Sequence, residues 1–126
     1  MSAADYQKAA LATSPDMAEP ATKLTALIHR DDRFSFMHLM HGVLVAVKES
    51  SELLDLLYEH IFYDTELDLE EVEKELGDIQ WGVTEACSAV GITLGKMMRS
   101  NIKKLRKRFP DGFSAADARR QKDKVP

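Results

Sequence analysis

No proline falls between Pro20 and Pro110, and within that span apolar residues recur every three to four positions. Proline ends helix interiors because it lacks an N–H donor and its ring clashes with the preceding turn. A proline-free span patterned at the helical period can hold long helices in succession. Strand-type alternation is missing, as are Asn-Gly or Asp-Gly hairpins between β-rich runs. Asp111-Gly112 follows Pro110 and a helical pattern. The expectation is an all-α chain.

The periodicity predicts five helical stretches. They run from about Ala4 to Ala12, Ala18 to His29, Ser35 to Phe62, after Asp68 to about Val90, and after Thr93 to about Phe109. Asp68 reads as an N-cap, with Glu71 completing a capping-box pattern, and Gly91 as a C-terminal stop. Residues 110–126 read as a tail with a short helical turn around Ala115 to Arg120. Residues 1–109 read as one domain.

A chain of 126 residues suits one core. The longest apolar run, Gly42 to Val47, is far short of the roughly 18 residues that span a bilayer. The N-terminus lacks the basic start and apolar block of a signal peptide. Cys87 is the single cysteine, which excludes an intrachain disulfide and a thiolate metal cluster. These features predict a cytoplasmic protein without a membrane role. Charge is uneven: residues 1–102 carry 8 Lys/Arg and 18 Asp/Glu, a net −10, whereas residues 103–126 carry 9 and 3, a net +6. Such asymmetry suggests that the two ends serve different parts of one ligand or assembly.

Glu49 and Glu52 are three apart in the third stretch, and Glu75 and Asp78 three apart in the fourth. Residues at that spacing share a helix face. Two such helices packed antiparallel bring four carboxylates into one cavity, an oxygen set suited to Mg²⁺. Acidic residues on helices are usually solvated, and most of the twelve between Glu49 and Asp78 read that way. The helical wheel separates the two pairs from the rest. Met40, Val43, Val47, Leu54 and Ile61 form one apolar stripe, and Glu49 and Glu52 lie opposite it on a face that also carries Val45, Leu56 and His38. In the fourth stretch Val72, Leu76, Ile79, Val83 and Val90 form the core stripe, bordered by Glu75, with Gly82, Ala86 and Ala89 leaving space beside it. Carboxylates against apolar walls repel one another and lose hydration unless a cation neutralises them.

In the fifth stretch Asn101, Lys104 and Arg108 share a face beside a stripe of Leu94, Met98, Ile102, Leu105 and Phe109. Lys104 and Arg108 either bind phosphates or, like Arg106 and Lys107, answer the helix dipole. His38 and His41 form an H-x-x-H pair that reads as structural, pocket-lining or metal-binding, and Trp81 reads as a core, interface or stacking residue. Tyr6, Gln7 and Phe34 are further candidates for lining a pocket. Met37, Met40, Met97 and Met98 read as core filler, and Cys87 as buried and inert.

Three blocks carry a resemblance. ESSELLDLLYEHIFYDTELD, KELGDIQWGV and NIKKLRKRFPDGF resemble, in order, the first motif and loop, the second motif, and the closing helix and tail of the MazG-like, all-α NTP pyrophosphohydrolase superfamily. Its mark is E-x-x-E, a spacer, then E-x-x-D; here Glu49-Ser-Ser-Glu52 and Glu75-Leu-Gly-Asp78 are separated by 22 residues. The resemblance spans about residues 35–114. It implies a four-helix-bundle-like fold completed by oligomerisation as a homodimer or homotetramer. It also implies a Mg²⁺ site, with Mn²⁺ as a substitute, held by Glu49, Glu52, Glu75 and Asp78. The implied reaction splits the α–β phosphoanhydride of an NTP or dNTP into the monophosphate and pyrophosphate. Glu49 or Glu52 would also orient the attacking water, and Asn101, Lys104 and Arg108 would contact phosphate or ribose. Two departures stand out: Ser50 and Ser51 replace the small Ala and Gly common in the first motif, and Gly82 stands where some members carry an aromatic against the base.

Two other functions compete with this reading. A redox carboxylate bundle needs Glu-x-x-His on two helices, and no histidine here has a glutamate three residues before it. A non-enzymatic helical interaction module, its basic tail touching nucleic acid, would bind DNA or RNA with steep salt dependence.

Overall fold

The computed structural model describes residues 1–30, 35–121 and 124, and its architecture is all-α. Among the described residues six helices occur: α1 (Ala3–Leu11), α2 (Ala18–Ile28), α3 (Phe36–Phe62), α4 (Leu69–Ala89), α5 (Leu94–Arg108) and α6 (Ala115–Arg120). The chain divides into two compact units, Met1–Asp31 and Asp32–Pro126. No helix is long and apolar enough to cross a membrane among the described residues.

Local chemistry sets the boundaries. In the first unit, Ser2 caps α1 by accepting from the Asp5 N–H, and the Asp5 carboxylate accepts from the Ser2 N–H in return, a complete capping box. Pro20 is tolerated in the first turn of α2, where no backbone N–H is needed. Leu27 is the one described residue of this unit that is not exposed.

In the second unit, Ser35 caps α3 and Asp68 caps α4, the latter accepting from the Glu70 N–H at 2.9 Å and the Glu71 N–H at 3.3 Å. The Glu71 carboxylate, expected to complete a box, pairs with Lys74 instead. Such caps stabilise a helix by about 1 kcal/mol each. Gly91 sits at φ 70°, a left-handed position that ends α4 where a side chain would be strained. Thr93 then caps α5 through the Lys96 N–H, and Ser114 caps α6 through that of Asp117.

α3 and α4 form an antiparallel hairpin, the main packing of the unit. The Ser35 N–H donates to the Ala89 carbonyl at 3.0 Å, tying the start of α3 to the end of α4. The face of α3 turned to α4 carries Gly42, Ala46, Glu49, Leu53 and Leu56, which are buried or half-buried. The stripe read from sequence as core is only partly covered: Met40 is half-buried and Val43 and Val47 edge an apolar groove shared with Val83, Ala86 and Val90 of α4, yet Val43, Val47, Leu54 and Ile61 are 50–67% exposed. Leu76 on α4 and Met98 and Ile102 on α5 are similarly open, as are Met37 and Met98 among the methionines read as filler. Ala89 is the one buried hydrophobic residue among those described. The physical reason is that small residues, not the most apolar ones, let two helix backbones come closest.

Candidate metal centre

Gly42 and Gly82 lie at the crossing of α3 and α4. A Cβ on Gly42 would stand 2.6 Å from the Gly82 carbonyl oxygen and 2.7 Å from the Ala86 nitrogen. A Cβ on Gly82 would meet the Gly42 carbonyl at 2.6 Å and the Ala46 nitrogen at 2.8 Å. The backbones therefore touch, and the space that the sequence reading left open beside Gly82 and Ala86 is filled by α3. Two turns along from the crossing, this contact brings the acidic residues of both helices together.

Glu49, Glu52 and Glu75 each present a carboxylate oxygen, and the three oxygens lie within 4.8 Å of one another. Glu49 and Glu75 are half-buried and Glu52 is exposed. Glu75 Oε2 is shut off from solvent and has no hydrogen-bond partner among the described residues. The Glu75 carboxyl is held above the ordinary carboxylate range. Burial is the first cause, followed by the negative charge of Glu52, a proton-sharing approach to Glu49, and the charges of Glu49 and Asp78. An anionic Glu75 here is poorly solvated and crowded by like charge.

Lys48 answers part of that charge. Its ammonium donates to Glu49 Oε1 at 3.0 Å and also to Glu52 Oε1. These contacts, Glu52 first and Glu49 second, hold its pKa above the ordinary lysine value. Nothing in the acidic motif itself marks Lys48; its i, i+4 spacing to Glu52 is the signal in the sequence.

The remaining candidates scatter. Asp78 is exposed and outside the three-oxygen cluster, although its charge reaches Glu75. His38 sits in the first turn of α3, its Nδ1 2.7 Å from the capping Ser35 hydroxyl. Eleven residues of helix place it about 16 Å from Glu49. Trp81 is half-exposed and meets the His41 ring edge-on at a centroid distance of 6.0 Å. His41 in turn binds Glu85 across the hairpin at 2.7 Å. Asn101 and Lys104 are exposed on α5, which makes only a small contact with α4, and Arg108 lies 6.0 Å from the Phe109 ring centre. Cys87 is half-buried and carries a free thiol. Phe34 lies outside the described residues, and Tyr6 and Gln7 belong to the first unit.

The donor set suits a hard divalent cation. Oxygens on Mg²⁺ at about 2.1 Å stand about 3–4 Å apart, so small side-chain rotations would bring the three carboxylates onto one ion. Such an ion would give Glu75 Oε2 the partner it lacks and neutralise the charge that crowds it. Comparison with known families gives a match to the MazG nucleotide pyrophosphohydrolase domain over residues 39–113, the segment from early α3 to just beyond α5. No curated protein and no solved structure gives a significant match.

Proposed function

The chain belongs to the MazG nucleotide pyrophosphohydrolase family, and from that premise we propose that it hydrolyses a nucleoside triphosphate between the α and β phosphates with Mg²⁺ as cofactor. The observation that carries the metal reading is Glu75 Oε2, buried, without a hydrogen-bond partner among the described residues and crowded by Glu52 and Glu49. Evolution rarely leaves such an atom uncompensated unless something else supplies the charge. Glu49, Glu52 and Glu75 would hold Mg²⁺, or Mn²⁺ in its place, with Asp78 turning in from the rim as fourth carboxylate.

The ion supplies a lowered water pKa and charge neutralisation on the phosphates. The chain's own part is to aim the carboxylates and to orient the attacking water, a task for the Glu49 or Glu52 oxygen not engaged with metal. Products are a nucleoside monophosphate and pyrophosphate. Asn101, Lys104 and Arg108 would meet phosphate or ribose, Trp81 would offer a face to the base, and His38 would line the outer pocket. In one chain α5 makes little contact with the hairpin, so the α5 row reaches substrate best from a neighbouring copy. The uncovered stripe of Val43, Val47, Leu54 and Ile61 supports a homodimer or homotetramer. The catalytic domain is taken as residues 1–109 with a tail of 110–126, working in the cytoplasm.

The test is to incubate the protein with each common NTP and dNTP plus Mg²⁺, and to separate products by anion exchange beside a Glu52→Gln variant. Monophosphate and pyrophosphate formed only by the unaltered protein are the expected result. Diphosphate and orthophosphate would show that the wrong bond is cut. A protein inert on every nucleotide that binds DNA or RNA with steep salt dependence would favour the interaction-module reading.

A further inference from the structure

We propose that Lys48 is a resident counter-cation of the candidate metal centre, one that yields Glu49 and Glu52 to the divalent ion and then pairs with the triphosphate. The inference rests on the proposed function and adds a residue to it.

Glu49 has a side chain only 14% exposed, and an anion so placed needs a partner. In this structure that partner is Lys48, which also bonds Glu52 and so bridges both glutamates of the first motif. Among the described residues, no other ion pair involves those two glutamates. The bridge is built to be given up. Lys48 is itself 63% exposed, so its ammonium returns to water at little cost. Its order along the helix, lysine before glutamate at i, i+4, is the weaker of the two orientations.

A divalent ion on Glu49 and Glu52 weakens the lysine's hold there, because the two cations repel and the ion draws charge from the carboxylates whose Oε1 atoms the ammonium uses. Lys48 then swings on its four-carbon stem. It is anchored one residue before Glu49, so its reach remains within the rim of the same centre. The groups that arrive there with a nucleotide are phosphate oxygens, to which a lysine binds as a point charge. Lys48 therefore opposes metal in the empty protein and favours substrate once metal is present.

The test measures Mn²⁺ binding by electron paramagnetic resonance, without nucleotide, for the unaltered protein, Lys48→Met and Lys48→Arg. Circular dichroism checks that each is folded. Lys48→Met should bind Mn²⁺ about five- to tenfold more tightly than the unaltered protein, with Lys48→Arg close to it. With Mn²⁺ saturating, inorganic tripolyphosphate should bind Lys48→Met about tenfold more weakly, and Lys48→Arg should restore most of that loss. A merely structural lysine would not tighten metal binding when removed. Unchanged or weakened Mn²⁺ binding by Lys48→Met overturns the inference, as does unchanged tripolyphosphate binding. An unaltered protein that binds no Mn²⁺ overturns the metal reading and this inference together, which separates the two failures.

Discussion

Glu49 and Glu75 stand at the same distance, seven residues, from the point where their helices touch: Glu49 follows Gly42 and Glu75 precedes Gly82. The helices are antiparallel, so two turns forward on α3 and two turns back on α4 end at one level, about 10.5 Å from the crossing. The glycine contact thus sets both the register and the separation at which the motif carboxylates meet. Gly82→Ala should push the helices apart, because the added carbon meets backbone and not a movable side chain. A loss of about 1–3 kcal/mol in stability is expected, together with weaker Mn²⁺ binding. Thermal melts and Mn²⁺ titration check the two effects. A variant that keeps both would show that the crossing does not govern the centre.

Glu75→Gln tests whether Glu75 is strained for the sake of a cation. Its folded pKa lies above the ordinary 4.5. Between those two values the folded chain holds a proton that the unfolded chain has released. The folded state then binds more protons, so this group's contribution to stability falls as pH rises through the interval and stays lost above it. In EDTA, the melting temperature of the unaltered protein relative to Glu75→Gln should fall across that interval. At neutral pH the variant should be the more stable. Mg²⁺ should reverse the ranking by raising the melting temperature of the unaltered protein alone. Equal responses to Mg²⁺ would remove Glu75 from the ligand set.

Caps and stops made the helices legible. Asp68, Gly91 and Thr93 mark their ends through side-chain and backbone chemistry that acts within four residues, and the observed bounds fall within one residue of those expected. The short turn in the tail appears as α6 over the expected residues. What periodicity did not reveal is which apolar face α4 takes. Hydropathy ranked Val43, Val47, Leu54 and Ile61 above Gly42 and Ala46, yet contact distance is decided by side-chain size. The centre was legible in part for the same reason. The i, i+3 spacing put Glu49 with Glu52, and the helical wheel put Glu75 beside a core stripe. Whether Asp78 points inward depends on how the helices rotate about their crossing, which no local pattern encodes.

Val47→Glu tests the uncovered stripe. Val47 is 64% exposed, shares a stripe with Val43, Leu54 and Ile61, and edges an open apolar groove between α3 and α4. A glutamate there costs an isolated chain almost nothing, since the site already faces water. Buried between copies, it would place an unpaired charge in an apolar interface. Light scattering should give the unaltered protein a mass at least twice its 14.2 kDa and Val47→Glu a mass close to that value. A mass of one chain for both proteins would leave the stripe without a second copy to cover it.

Lys104→Ala separates phosphate binding from metal binding. Lys104 is exposed on α5, whose contact with the hairpin is small, and no ion pair joins it to the carboxylates among the described residues. Its removal should therefore leave Mn²⁺ affinity unchanged. If Lys104 meets the triphosphate as a point charge, KM should rise about tenfold while kcat falls less, and the dependence of KM on salt should become shallower. Gly82→Ala should show the opposite division, with weakened metal binding first. Steady-state kinetics at two ionic strengths, paired with the Mn²⁺ titration, distinguish them. A Lys104→Ala enzyme with unaltered KM would return the α5 cations to the role of answering the helix dipole.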